Sequence, residues 1–150
     1  MTEPSWKHSP VVVTGGAGFI GSNFVLDWLD GAPGTTQPLV NVDCLTYAGN
    51  LKNLERVSAH AGYKFVRADI CDRARLDALL EEHRPRAIVH FAAESHVDRS
   101  ILGPEAFVET NVRGTFVLLE AARAYFSNVW TLVRPELLGR AAQMPRIWST

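Results

Sequence analysis

Two hydrophobic periods alternate along this chain. Val11, Val12 and Val13 are a β-branched run that reaches Thr14 and then a turn holding Gly15, Gly16, Gly18 and Gly21, a pattern that predicts a buried strand feeding a tight turn that opens a helix. Over residues 18–30, Ile20, Phe24, Val25, Trp28 and Leu29 recur at helical spacing, and Gly31, Pro33 and Gly34 stop the helix. Residues 39–43 (LVNVD) predict a second strand and 63–69 (YKFVRAD) a third. Residues 73–83 predict a helix with Leu76, Leu79 and Leu80 on one face. Residues 86–92 (RAIVHFA) predict a fourth strand, whose nearly continuous apolar run implies cover on both sides.

Pro104, suited to the first helical position, opens a long helix that reaches about Phe126. Val108, Val112, Leu119, Ala122 and Phe126 form one apolar face; Phe107, Gly114, Leu118, Ala121 and Tyr125 form another, about 100° away. Glu105, Glu109, Arg113, Glu120 and Arg123 keep to the remaining stripe. So wide an apolar arc needs cover beyond its own sheet, from a second subunit or from a further layer of the same chain. The pattern weakens after Ser127, where a short helix over 136–143 and a fifth strand starting at Arg146 are the expectations.

Strands alternating with helices define the expected class: α/β, a Rossmann-type doubly wound parallel sheet that stops after its fourth or fifth strand. The expected organisation is a disordered leader over 1–10, a nucleotide-binding domain over 11–126 and a divergent tail over 127–150. A sheet ending at the fourth strand leaves that strand as an unpaired edge, a template for aggregation.

Composition narrows the partners. With 150 residues, 47% hydrophobic and 21% charged, the chain has the make-up of one globular domain. Its net charge of −1 supplies no basic field for nucleic acid or a membrane surface. Cys44 and Cys71 fit no metal or redox spacing, so reduced thiols in a cytoplasmic protein are expected, with no metal.

The glycines satisfy two overlapping spacings, GxGxxG from Gly16 and GxxGxxG from Gly15. Residues without a Cβ let a pyrophosphate approach the main chain, and a bare helix N-terminus offers it N–H groups and a positive dipole end. Asp43 ends the second strand 22 positions past Gly21, where an acid hydrogen-bonds the adenosine ribose of NAD. Cys44 follows it, with no arginine beside it to welcome a 2′-phosphate, so NAD is favoured over NADP. Asp69 is placed on the same carboxyl edge of the sheet. Glu94, Ser95, His96, Asp98 and Arg99 crowd the loop after the fourth strand, where ligands of such folds lie. His90 reads as a satisfied core histidine, and His60 and His83 as solvated residues near helix ends. Asn111 interrupts an apolar face, either to hydrogen-bond the sheet or to serve the site.

Residues 11–126 closely resemble the NAD-binding half of dTDP-glucose 4,6-dehydratases, extended short-chain dehydrogenase/reductase enzymes. TGGAGFIGSNF is shared with sugar epimerases, whereas DCLTYAGNLKNL, ADICD, HFAAESHVDRSI and FVETNVRGTFVLLEAAR are far more specific. The resemblance implies that Gly15, Gly18, Phe19, Ile20 and Gly21 hold the cofactor and that Asp43, Leu45 and Thr46 surround its adenosine ribose. It implies that Asp69 and Ile70 flank the adenine, that Phe91, Ala92, Ala93 and Ser95 line the nicotinamide side, and that Thr110 completes the site. Ser95, Glu94 and His96 would face dTDP-glucose or a similar nucleotide sugar. The family often has lysine where Cys44 stands, so cationic help at the ribose is expected to be absent.

In that family NAD takes a hydride from C4 of the glucose unit, water leaves across C5 and C6, and the hydride returns to C6. A Tyr-x-x-x-Lys tyrosine is the base, helped by a threonine followed by an Asp-Glu pair. Tyr47, Tyr63 and Tyr125 have no lysine four residues later, and the only position matching the threonine is Thr150, after Ser149 and without the Asp-Glu pair. The expectation is a cofactor-binding part, inactive alone, with the tail of a truncated or altered reading frame. A non-catalytic dinucleotide-binding module or partner subunit is the alternative, and a nucleotide-sugar epimerase is disfavoured by ESHVDRS. A homodimer is expected through the helix over 104–126.

Overall fold

The computed structural model describes residues 9–30, 37–95 and 103–133, with side chains through Asn128. The expected leader, the helix over 136–143 and the strand at Arg146 lie outside the described residues, as do His96, Asp98, Arg99, Ser149 and Thr150.

Among the described residues, four parallel strands form the sheet: β1 (Val11–Thr14), β2 (Leu39–Asp43), β3 (Tyr63–Arg67) and β4 (Ala87–His90), in the order β3-β2-β1-β4. Val12 pairs with Val40 on one side and Ile88 on the other, so β1 is central and all its residues are buried. Successive strand residues point to opposite faces, and the core divides accordingly. Val11, Val13 and Leu39 pack with Val25 and Leu29 of helix α1 (Phe19–Leu29) and with Leu54 and Val57 of a 3-10 helix (Leu51–Val57). Val12, Val40, Val42 and Val66 pack on Leu76, Leu79 and Leu80 of α2 (Arg73–His83) and on Leu118 and Ala121. The expected three-layer, Rossmann-type α/β sheet is the observed one.

The last described helix is not uniform. An α-helical turn α3 (Pro104–Val108) passes through a π-helical segment (Glu109–Gly114) into α4 (Thr115–Val133), so the helix runs beyond Phe126. A Cβ on Gly114 would lie 2.7 Å from Ile70 Cδ1 and 3.1 Å from Cys71 Sγ, so the missing side chain lets the bulged helix close on the loop after β3. Of the two expected apolar faces, the one with Gly114, Leu118 and Ala121 is buried, while Val108, Val112, Phe116 and Leu119 are exposed at 56–64%.

Four expectations change. The third strand ends at Arg67, because Ala68 still donates to the Asp43 carbonyl but Asp69 turns away to accept from Cys71 N. The fourth strand is shorter than 86–92 and, among the described residues, lies at the sheet edge, where its residues are half-buried or exposed rather than covered on both sides. His90 is exposed, not core, although both ring nitrogens are bonded. His83 is largely enclosed, its side chain 10% exposed, and burial lowers its pKa.

Candidate functional site

The glycine turn is shaped first by the chain's own crowding. Gly15 has φ +72°, and a Cβ there would meet Ala92 N at 2.4 Å and the Phe91 carbonyl carbon at 2.6 Å. The segment leaving β4 therefore passes directly over the turn, which only glycine allows. Gly21 is as constrained, with the Gly15 carbonyl oxygen 2.2 Å from its would-be Cβ.

Gly18 differs. Its φ of −74° suits any residue, and a Cβ there would touch only the Gly15 carbonyl oxygen, at 3.4 Å. The space beside it is open. Gly18 is also the N-cap of the eleven-residue α1, which begins without a side-chain cap and without an acidic residue in its first turn. That end of α1 thus keeps N–H donors and the positive dipole end for an anion. Phe19 and Ile20 beside it are 84% and 67% exposed, large apolar groups that a bound ligand could cover.

Asp43 holds the turn to its neighbour. Its Oδ2 accepts from Ala17 N at 2.9 Å and its Oδ1 from Leu45 N at 2.8 Å, while the residue is 8% exposed. The second bond fixes Leu45 at φ +58°, a left-handed conformation costly for leucine. Ala17 is gripped from the other side as well, its carbonyl accepting from Asn50 N at 3.0 Å and Asn53 Nδ2 at 3.4 Å. A carboxylate offers about four lone-pair directions, so these two bonds do not exhaust its acceptor capacity. Behind the turn, buried Asn41 donates to the Tyr63 hydroxyl, while its Oδ1, without a partner among the described residues, stands where a Gly16 Cβ would be.

Asn111, in the π-helical segment, bonds the loop after β4 and not the sheet itself. Its Oδ1 accepts from Glu94 N at 2.8 Å and its Nδ2 donates to the Glu94 carbonyl at 2.9 Å, so one side chain satisfies both backbone groups of the residue. The Glu94 carboxylate in turn accepts from the Tyr47 hydroxyl at 2.8 Å. His90 anchors the same region, with Nδ1 2.6 Å from Thr14 Oγ1 and Nε2 3.2 Å from Thr115 Oγ1.

The carboxyl edge of the sheet therefore gathers the turn Gly15–Gly21, the segment with Leu45 and Thr46, Asp69 and Ile70, and residues 91–95. Some of these side chains are already committed. The Phe91 ring packs on Phe24 with centroids 5.3 Å apart, and Ile70 is buried beneath Gly114, which leaves their backbones at the edge. Ala93 and Ser95 are exposed, and Thr110 is half-buried within the π-helical segment. Cys44 carries no charge, and β3 brings Arg67 Nε to 3.4 Å from the Cys44 carbonyl. Burial, then the nearby Asp43 and Asp69, raise the Cys44 pKa; burial and Asp69 push Cys71 up to about 11, so both thiols are protonated at neutral pH. Among the described residues, no cluster of histidine, cysteine and carboxylate could hold a metal ion.

Sequence reading missed Asn41, Tyr47, Asn50 and Asn53. Asn41 alone had a signal, a polar residue inside an apolar strand; the other three depend on tertiary approach.

The sheet order and the glycine turn define a Rossmann-type α/β protein. A family model described as GDP-mannose 4,6 dehydratase matches residues 12–134, and the chain belongs to that family. It is 56% identical over 117 residues to a dTDP-glucose 4,6-dehydratase of Shigella flexneri, covering 78% of this chain and 32% of that protein. Among solved structures it resembles a dTDP-glucose 4,6-dehydratase of Streptomyces venezuelae with NAD and TYD bound, at 50% identity and TM-score 0.72 over 78% of this chain and 36% of the other. A UDP-glucose-4-epimerase of Stenotrophomonas maltophila with bound NAD is similar at 36% identity and TM-score 0.69, over 79% and 34% of the two chains. The chain thus spans about a third of the length of the relatives it matches.

His90 is exposed as a residue, but partial desolvation of its ring, held between Thr14 and Thr115, lowers its pKa. A histidine whose folded pKa lies below its unfolded value, about 6.5, makes the unfolded state the better proton binder, so its stabilisation is complete above that pH and is lost as pH falls below it. Urea unfolding at pH 7.5 and 5.5 is expected to show a larger loss for the parent chain than for His90→Gln, in which His83 still titrates. An equal loss in both would show that the Thr14–His90–Thr115 link carries no proton linkage.

Proposed function

We propose that this chain is the NAD-binding portion of a cytoplasmic dTDP-glucose 4,6-dehydratase, which converts dTDP-glucose to dTDP-4-dehydro-6-deoxyglucose in deoxysugar biosynthesis. The observation that carries the reading is the open space beside Gly18 at the uncapped start of α1, with the Asp43 carboxylate fixed beside the same turn. The relatives' names and the NAD bound in similar structures support it. When bound, the dinucleotide supplies reversible hydride acceptance. The N–H groups at the start of α1 would hold its pyrophosphate, with Phe19 and Ile20 covering it. The free lone pairs of Asp43 would take ribose hydroxyls, beside Leu45 and Thr46. Asp69 and the Ile70 backbone would meet the adenine, and the backbone of residues 91–93, with Thr110, the nicotinamide side. Ser95 and Glu94 would face the nucleotide sugar.

Within these 150 residues there is no Tyr-x-x-x-Lys, so this stretch binds and orients but does not by itself abstract the substrate proton. The same absence favours a second reading, a non-catalytic dinucleotide-binding subunit; co-purification with a separate chain bearing Tyr-x-x-x-Lys would support it. No helix among the described residues is long and apolar enough to cross a membrane.

Thermal unfolding separates a working cradle from a merely structural turn. A ligand at about 100 times its Kd stabilises the folded state by about 2.7 kcal/mol, so saturating NAD should raise Tm by several degrees and NADP by less. No shift with NAD would contradict the reading. The exposed stripe of Val108, Val112, Phe116 and Leu119 is part of the same proposal, as the contact with a second copy. Sedimentation should show a dimer that Leu119→Glu converts to monomer; a monomeric parent chain would remove that contact from the account.

A further inference from the structure

In the sheet order β3-β2-β1-β4, β2 and β4 flank β1, whose carboxyl end carries the glycine turn. Tyr47 lies just after β2 and Glu94 just after β4, and their 2.8 Å hydrogen bond joins two loops that leave non-adjacent strands. With neighbouring strands about 4.8 Å apart, that bond bridges the β2 and β4 sides of the carboxyl end of β1. Both of its ends are held from below. The Glu94 backbone is gripped at N–H and C=O by Asn111. The loop bearing Tyr47 is held by the bond from Leu45 N to Asp43 and by Gly49 N donating to the Thr46 carbonyl at 3.0 Å.

A dinucleotide laid across the end of β1, from the β2 side to the β4 side, must share this crossing. We infer that Tyr47 and Glu94 form a strap that closes over the bound dinucleotide and slows its release. The inference rests on the NAD-binding reading and deepens it: a cofactor that is regenerated within each turnover gains from retention, and the strap supplies retention without contacting the reacting atoms. Tyr47 and Glu94 act here as positioning residues.

Release of NADH from this chain, chased with excess NAD and followed by the loss of NADH fluorescence, tests the strap. This bond is solvent-exposed, so its loss is expected to cost no more than an ordinary hydrogen bond and to make release about five- to tenfold faster in Tyr47→Phe and in Glu94→Ala. The double variant should release no faster than either single one, because each single change already breaks the Tyr47–Glu94 bond, and Glu94→Gln, which keeps an acceptor oxygen, should stay near the parent rate. Unaltered melting temperatures without cofactor would show that the variants fold. NADH bound by the parent chain but released at an unchanged rate by Tyr47→Phe, or single effects that multiply in the double variant, would overturn the strap alone. Failure of the parent chain to bind NAD or NADH would overturn the strap together with the functional reading.

Discussion

The candidate site depends on the placement of one carboxylate. Asp43 ends a fully buried strand, and its two oxygens are shared between Ala17 N in the glycine turn and Leu45 N in the loop beyond β2. Each such bond to a charged acceptor contributes about 1.5–3 kcal/mol, enough to hold a loop in one conformation against its conformational entropy and to keep Leu45 in its left-handed state. The turn, α1 and the loop that leads to the 3-10 helix are thereby fixed together without help from a ligand. Asn50 and Asn53, gripping the opposite face of Ala17, complete the arrangement.

The same edge is organised from the β4 side by contacts of a different kind. Gly15 admits the backbone of Phe91 and Ala92, and Asn111 pairs with Glu94 much as a neighbouring strand would. Asn111 reaches that loop from a π-helical segment, and Gly114 lets this segment settle against Ile70. A local departure from regular helix therefore serves to aim one amide. Such π-helical turns often mark functional sites, because they turn a side chain that a regular helix would point elsewhere.

Much of this was legible in the sequence. β-branched runs and leucine spacing gave β2 and α2 their full extents, since local pattern and burial agree there. The glycine turn and Asp43 were legible because their chemistry needs particular residues at particular spacings. The 3-10 helix over Leu51–Val57 was not, because its residues show no clean period and its start is fixed by Asn50 and by contact with Ala17. The π-helical segment over Glu109–Gly114 was not, since its apolar spacing differs little from that of an ordinary helix. His90 was misplaced because an apolar run reads as buried even when its strand lies at the sheet edge. Arg67 escaped notice for a similar reason: it is distant from Cys44 along the chain and adjacent only through the register of β2 with β3.

On this arrangement Asp43 builds the cradle before any cofactor arrives. Amide hydrogen exchange of Ala17, compared with Val13 in the core of β1 and measured without dinucleotide, tests it most directly. The account expects the Ala17 amide to be protected in the parent chain and to exchange at least about tenfold faster in Asp43→Ala while Val13 stays protected. A Ala17 amide that is unprotected in the parent, or equally protected in both chains, would contradict it.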